Sequence, residues 1–175
     1  DKIKVIKQHY EDLQTCKESL EKTILALAMP HQAFIDLILT IPSIKCPFTA
    51  ITIISEIGVD MNQFRSAKHL TSWAGLTPTN NESAGKKKSV RISKAGAYIK
   101  PLLVQCALCA IKDKSCPYIK ARYESLRRRR GHKKAIIAIA RLLLVCSYHI
   151  LKNGEPFDLE RFDKLINRNI KKHNK

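Results

Sequence analysis

The sequence predicts an all-α protein, and three observations support this prediction. Apolar residues recur every three or four positions along most of the 175 residues, which is the period of an amphipathic helix. Proline and glycine stand where they suit the first turns and the C-terminal ends of helices. Only residues 79–94 interrupt the helical pattern with a long irregular stretch. We therefore expect an N-terminal coiled-coil helix followed by a compact helical domain that contains one long basic loop.

Residues 1–30 are predicted to form the coiled-coil helix. From Ile6 to Leu27 the apolar residues alternate at spacings of four and three, and the seam is interrupted where it reaches Lys17. This amounts to about three heptads, the short end of a coiled-coil signal. A helix that packs on its own domain is therefore an equally good interpretation. The coiled coil would make the protein a homo-oligomer.

Residues 31–156 are predicted to form the compact domain, which begins with a helical hairpin. The first helix ends before Pro42, and residues 43–46 form a tight turn. Pro47 suits the first turn of the next helix, and Gly58 suits its C-terminal cap. The pair resembles a helix-hairpin-helix.

Further helical segments follow, with Asp60 and Ser66 as expected N-caps. The last segment is strongly apolar, but it is shorter than the roughly 20 residues that span a bilayer and it carries Arg141, so we expect a core helix. Trp73 lies on an apolar face and is also expected in the core. Residues 157–175 form a basic tail. The expected segments are Gln63 to Ala74, Tyr98 to Ile111, Tyr118 to Leu126 and Lys133 to Leu151.

The charge of the chain indicates a polyanionic partner. Lys and Arg total 32 against 15 Asp and Glu, which gives a formal charge of +17. DNA or RNA is the expected partner. A membrane surface is less favoured, because the cations are spread over loops and helix ends rather than along one face of an amphipathic helix.

The six cysteines indicate reduced thiols in a cytoplasm, since most lie among apolar residues and no signal peptide is recognisable. Cys106 and Cys109 have the spacing of a zinc-binding pair. No second pair of Cys or His follows at a suitable distance, so we expect no metal site in this chain.

The irregular stretch combines hydroxyls, a glycine and five cations with Glu82 as its only acid. Adjacent lysines repel one another unless anions lie near, and phosphates satisfy that requirement. The alternative is a mobile, solvated loop. The candidate nucleic-acid-binding residues here are Lys86, Lys87, Lys88, Arg91 and Lys94.

A second cluster of cations is expected just before a helix, where a bound phosphate would relieve their unfavourable interaction with the helix dipole. A solvated turn is the alternative. Its members are Arg127, Arg128, Arg129, Arg130, Lys133 and Lys134.

Ser83 is a candidate nucleophile within the basic stretch. A serine hydroxyl needs a base or a metal to take its proton and cations to stabilise charge on a phosphate. The stretch supplies cations but no obvious base. Ser89 and Ser93 are weaker alternatives that could instead contact phosphates or cap the next helix.

Several blocks, in this order, resemble one insertion-sequence transposase family whose members pair a RuvC-like N-terminal domain with a serine-bearing C-terminal domain. The family includes the bridge-RNA-guided recombinases and the Piv-type DNA invertases. The resemblance covers about residues 31–160. Its main blocks are Ile41-Pro42-Ser43-Ile44, Glu56-Ile57-Gly58, Ala74-Gly75-Leu76-Thr77-Pro78, Asn80-Asn81-Glu82-Ser83-Ala84-Gly85-Lys86, Lys94-x-Gly96 and Arg128-Arg129-Arg130-Gly131.

The resemblance implies that Ser83 attacks DNA and becomes covalently linked to it. It also implies that the carboxylates that hold magnesium lie in a RuvC-like domain outside this chain. A structured guide RNA is a further candidate partner. Three departures concern Ser43 and Lys45, which replace the glycines usual in the hairpin turn, Val90, which replaces a glycine, and Ala97, which replaces an asparagine.

Two functions follow from these observations. The first is a serine-dependent DNA recombinase or transposase of which this chain, inactive alone, is one part. The second is a non-catalytic module that binds DNA or RNA and dimerises through its coiled coil. The two differ at Ser83, because only the recombinase needs a hydroxyl there.

Overall fold

A computed structural model describes residues 1–78, 81–83, 86–89, 92–160 and 162, with the backbone alone described for 81–83 and 86–89. The protein is all-α, as predicted, apart from one short hairpin of strands. It divides into two compact units, Asp1–Ala33 and one that begins at Phe34. The helices are α1 (Lys2–Ala28), α2 (Gln32–Leu39), α3 (Pro47–Ile57), α4 (Ala67–Trp73), α5 (Ile99–Ala110), α6 (Pro117–Arg130) and α7 (His132–Asn153), and the strands are β1 (Asn81–Ser83) and β2 (Lys86–Ser89).

The first unit consists of α1 and a single 3₁₀ turn, Met29–His31, which leads into α2. Pro30 occupies the first turn of this 3₁₀ segment, where its missing N–H costs no hydrogen bond. Ala28 is the one buried residue of α1. The coiled coil stays a prediction.

The hairpin of α2 and α3 begins the second unit. Cys46 is the N-cap of α3, Pro47 lies in its first turn and Gly58 ends it with φ +70°. Isoleucines on both helices and in the turn are fully buried. Pro47 therefore begins α3 and Gly58 ends it, as predicted, because both act through local backbone geometry.

The short helix α4 begins at Ser66, whose Oγ accepts a hydrogen bond from the His69 N–H at 3.4 Å. Asp60 caps the preceding 3₁₀ turn by accepting from the Asn62 N–H at 2.9 Å. Both predicted N-caps are confirmed. The prediction for Trp73 is wrong: its side chain is 46% exposed and contacts the ring of Phe64 at a centroid distance of 5.8 Å.

The centre of the second unit is α7, which packs against α4, α5 and α6. Half of its 22 residues are buried, including Ile139, Leu143 and Leu144. Two helical stretches, Lys2–Leu39 and His132–Asn153, are long and apolar enough to cross a membrane by length and composition. The three helices that cover α7 fit the prediction that it is a core helix, since its apolar side chains contact protein.

Three of the six cysteines, Cys106, Cys116 and Cys146, are buried and three are exposed. Burial raises the pKa of the Cys106 thiol to about 11 and that of Cys146 to about 12. These thiols pack as small apolar groups, since their charged forms are strongly disfavoured.

Candidate nucleic-acid interface

The basic stretch differs from the expected irregular loop because it contains an antiparallel hairpin. In the register of β1 and β2, Ser83 pairs with Lys86, Glu82 with Lys87 and Asn81 with Ser89, with an irregularity between Asn81 and Glu82. The helical periodicity that ends at Pro78 is thus followed by a second regular structure. Ser83 is the last residue of β1, and Lys86 is the first of β2.

The base of this hairpin is closed by backbone contacts. Pro78 and Ile92 form an isolated antiparallel bridge. Below it, Gly75 and Gly96 lie where two chain segments cross: a Cβ on Gly75 would stand 2.5 Å from the Ala95 oxygen, and a Cβ on Gly96 would stand 2.2 Å from the Ala74 oxygen. Both glycines also have positive φ, so two independent reasons require glycine at each position.

Lys100, in the first turn of α5, fastens the same crossing. Its Nζ donates hydrogen bonds to the Ser93 oxygen at 2.7 Å and to the Ala95 oxygen at 2.6 Å. The Ser93 hydroxyl accepts from the Ala95 N–H at 3.3 Å. Lys100 was not singled out from the sequence. An ammonium that donates to two backbone oxygens holds the segment after the hairpin in place, and it also makes the Ser93 region less free to rearrange.

Two exposed aromatic residues flank the crossing in the sequence. Trp73 directly precedes Ala74, and Tyr98, which follows Gly96 by two residues, is 74% exposed. Exposed aromatic rings can stack on unpaired bases. Trp73 was expected in the core from the sequence, because helical periodicity does not distinguish a partly covered face from a buried one.

The second cationic cluster lies at the joint of α6 and α7. Residues 127–130 form the last turn of α6, whereas Lys133 and Lys134 lie in the first turn of α7, and all six side chains are exposed. The expected unfavourable dipole therefore applies only to the two lysines, because the arginines lie at a C-terminal helix end that attracts cations. Gly131 joins the helices with φ +82°, and Tyr123 Oη lies 2.7 Å from His132 Nδ1.

Arg122 extends this cluster toward the protein interior and was not singled out from the sequence. Its Nε is buried and has no hydrogen-bond partner in the described part of the chain. Burial, together with the positive charge of Arg129, lowers the pKa of the Arg122 guanidinium. A guanidinium that is partly desolvated beside a like charge is stabilised by an anion.

A carboxylate from a distant part of the chain, Asp113, lies close to the turn of the α2–α3 hairpin. Asp113 Oδ1 accepts from the Ser115 N–H at 2.9 Å and from its hydroxyl at 2.7 Å, and Oδ2 lies 3.8 Å from Lys45 Nζ. The backbone of Ser43 makes the smallest contribution to the lowered pKa of this carboxylate. These groups, the Ser115 hydroxyl first, lower the pKa of Asp113.

Ser43 itself has φ +74°, the left-handed conformation that favours glycine. Ser43 thus takes a glycine-type conformation at a position where the resemblance leads one to expect a glycine. Lys45 of the same turn lies 3.8 Å from the Asp113 carboxylate, which is only 14% exposed, so a phosphate at this turn would lie close to a fixed negative charge. This carboxylate gives an electrostatic reason against phosphate binding at the turn.

The structure describes some of the predicted site residues with their side chains, some by their backbone alone, and others not at all. Lys94 is exposed close to the crossing. Ser83, Lys86, Lys87, Lys88 and Ser89 are placed by their backbones alone, and Arg91, Val90 and residues 163–175 lie outside the described residues. Within the described ranges no group of three or more His, Cys, Asp or Glu side chains could hold a metal ion.

Comparison with known proteins adds a family match. The model of the family described as "Transposase IS116/IS110/IS902 family" matches residues 35–124, which include the α2–α3 turn, the basic hairpin, the glycine crossing and Lys100.

Individual relatives match over similar parts of the chain. A pilin gene-inverting protein of Moraxella bovis is 32% identical over 131 residues, 73% of this chain and 39% of that protein. The transposase for insertion sequence element IS1111A of Coxiella burnetii is 30% identical over 99 residues, 53% of this chain and 26% of that protein. The chain thus spans about two fifths or less of the length of the curated relatives it matches.

Proposed function

Because this chain belongs to the IS116/IS110/IS902 family of transposases, we propose that it is the serine-bearing, DNA-binding part of a bacterial DNA recombinase. Ser83 is the nucleophile. The recombinase acts in the cytoplasm on DNA, with a structured RNA as a further candidate partner. The similarity to a pilin gene-inverting protein and to an insertion-sequence transposase supports this proposal, because gene inversion and transposition both rearrange DNA.

The observation that carries the proposal is the position of Ser83 at the end of β1. It pairs with Lys86, the first of three consecutive lysines, and the base of its hairpin is closed by the glycine crossing and the Lys100 hydrogen bonds. A nucleophile on a firmly anchored, short hairpin can be presented to a phosphate with little loss of conformational freedom on binding.

The proposed reaction is a phosphoryl transfer. A base takes the serine proton as the Ser83 oxygen forms a bond to a DNA phosphorus. The bond from that phosphorus to one deoxyribose oxygen breaks, and a general acid protonates that oxygen, so that it leaves as a hydroxyl. The lysines of β2 stabilise the crowded anionic transition state. The phosphoserine link retains the phosphodiester, so reversal with a new deoxyribose hydroxyl rejoins the strands without ATP.

Magnesium ligands are not supplied by the described residues, among which no suitable group of carboxylates lies together. The proposal therefore assigns them, and the base, to a RuvC-like domain outside this chain. The residues of this chain bind the DNA backbone and present the hydroxyl. The exposed cations Arg127–Arg130, Lys133 and Lys134 contact further phosphates of the DNA, and Arg122, whose Nε is buried without a hydrogen-bond partner in the described part of the chain, adds a desolvated cation.

The test uses the full-length protein with magnesium and a cognate DNA substrate. We expect a covalent protein–DNA adduct that maps to Ser83 by mass spectrometry. Ser83→Ala removes the adduct but changes the DNA dissociation constant by no more than about threefold, because a neutral hydroxyl contributes only about 1 kcal/mol to a bound state.

Ser89→Ala is the matched control, since Ser89 lies in the same hairpin at the position paired with Asn81. It should leave adduct formation intact. An adduct that survives Ser83→Ala, or that maps to Ser89 or Ser93, would overturn the assignment. An active protein that forms no serine adduct would instead be one in which this chain serves as a non-catalytic module that binds DNA or RNA.

A further inference from the structure

We propose that the exposed apolar stripe of α1 binds a second copy of this chain, and that the two α1 helices run antiparallel. The proposal is independent of the reaction at Ser83. It depends on which side chains α1 exposes and on where its charges lie along the helix.

The stripe runs along the whole of α1. Seven large apolar side chains at heptad spacing are between 39% and 81% exposed. With Ile3 taken as position a and Ile6 as position d, Lys17 falls at a, and every other a or d position is apolar. The stripe comprises Ile3, Ile6, Tyr10, Leu13, Leu20, Ile24 and Leu27.

A parallel pair of such helices is electrostatically unfavourable. Equivalent positions lie level in a parallel pair, so the two Lys17 side chains would occupy the same layer of the seam. In a parallel pair, a residue at g contacts the residue at e of the following heptad in the other copy. Lys2, at g, would therefore contact Lys7, at e, and none of the remaining g–e pairs has opposite charges. A parallel dimer would therefore have two kinds of repulsive contact and no ion pair between the helices.

An antiparallel pair removes both repulsions. When all eight a and d layers overlap, each a residue packs opposite a d residue of the other copy, and Lys17 lies opposite Leu13. Antiparallel helices bring e residues to e residues, so Lys7 of each copy lies beside Glu21 of the other. Each Glu21 already lies 3.7 Å from Lys17 of its own helix, so two lysines would share the carboxylate.

This arrangement selects a second copy as the partner, because it is self-complementary. Lys7 meets Glu21 and Glu21 meets Lys7 about one two-fold axis, as an isologous interface requires. The axis passes beside Gln14 and Cys16, near the middle of the 27-residue helix.

Charge reversal distinguishes the two orientations by the sign of its effect. Sedimentation equilibrium of the 175-residue chain should show a dimer, and Lys7→Glu should weaken dimerisation about tenfold, since two attractive pairs become repulsive. Lys7→Glu combined with Glu21→Lys should recover most of the lost affinity. Lys4→Glu makes the same charge change on the outer face and should have little effect.

A parallel dimer would respond in the opposite way, because Lys7→Glu would then face Lys2 and strengthen association. Distance measurement provides an independent test. A spin label at residue 2, in a chain with Cys16, Cys46 and Cys109 changed to Ser, should lie about 40 Å from its copy, since 26 residues of helix separate the two levels.

In a parallel dimer that separation would be close to the interhelical distance of about 10 Å. A short distance, a stronger Lys7→Glu dimer, or a chain that stays monomeric at about 100 µM would each overturn the proposal. If the chain is monomeric, the apolar stripe of α1 is covered by a different segment or a different protein.

Discussion

Replacing Gly96 by Ala should test the crossing at the base of the hairpin. The new Cβ would stand 2.2 Å from the Ala74 oxygen and 2.8 Å from the Ala74 carbonyl carbon, both backbone atoms that cannot rotate away. The left-handed φ of +71° costs an L-residue about 1–2 kcal/mol. Forced displacement of well-packed atoms costs about 1–3 kcal/mol more, so the free energy of unfolding should fall by several kcal/mol.

Gly154→Ala is the matched control. Gly154 has φ +67°, and a Cβ there would meet nothing within 4 Å. It therefore carries the cost of the backbone conformation without the close contact, and both variants gain the same benefit from a less flexible unfolded chain. The difference between the two variants isolates the contact with Ala74, which we expect to be about 1–3 kcal/mol.

The assay is urea denaturation followed by far-ultraviolet circular dichroism, with equal denaturant slopes as evidence of a two-state comparison. A Gly96→Ala variant within about 0.5 kcal/mol of Gly154→Ala, the range of an ordinary surface substitution, would refute the reasoning. Gly75→Ala should resemble Gly96→Ala, since its Cβ would stand 2.5 Å from the Ala95 oxygen.

Three other predictions follow from the same structure. The pKa of Asp113 is lowered from 3.8, first by Ser115 and also by Lys45, so the stabilising effect of its carboxylate is complete above pH 3.8 and is lost as the pH falls through the lower, folded-state pKa. The stability of Asp113→Asn should therefore fall less steeply with acid than that of the unchanged protein. Urea midpoints that fall in parallel in the two proteins as the pH is lowered would contradict this. Changing Lys86, Lys87 and Lys88 to Ala should reduce the slope of log K against log salt by about 0.9 for each lost duplex phosphate contact, whereas an unchanged slope and affinity would place the binding surface elsewhere. Lys100→Met should lower both the urea midpoint and the rate of adduct formation, relative to Lys112→Met on the surface, and equal midpoints would remove the anchoring role of Lys100.

The helices were predictable because their signals are local. Pro47, Gly58 and Ser66 act on the backbone within a few residues, and the apolar period of α7 persists over many turns. The same reasoning failed for Trp73, since periodicity shows which face is apolar but not whether the neighbouring elements cover it.

The candidate site was less predictable because its geometry depends on contacts between distant segments. Ser83 could be singled out from its motif, but the pairing with Lys86 could not, because the run of lysines hides strand alternation. Lys100 and Gly75 are 25 residues apart in sequence, and Asp113 lies far along the chain from the turn at Ser43. Nothing in the local sequence indicates either association.

The closed base of the hairpin also bears on how such proteins can be altered. Residues before Pro78 and after Ile92 are held by the bridge, the two glycines and Lys100, so the segment between them resembles an insert on a fixed platform. Loop closure depends only weakly on loop length. Segments of other lengths should therefore graft between these two residues without loss of folding, and exchange of this segment between relatives would transfer the proposed nucleophile while the helical scaffold stays the same.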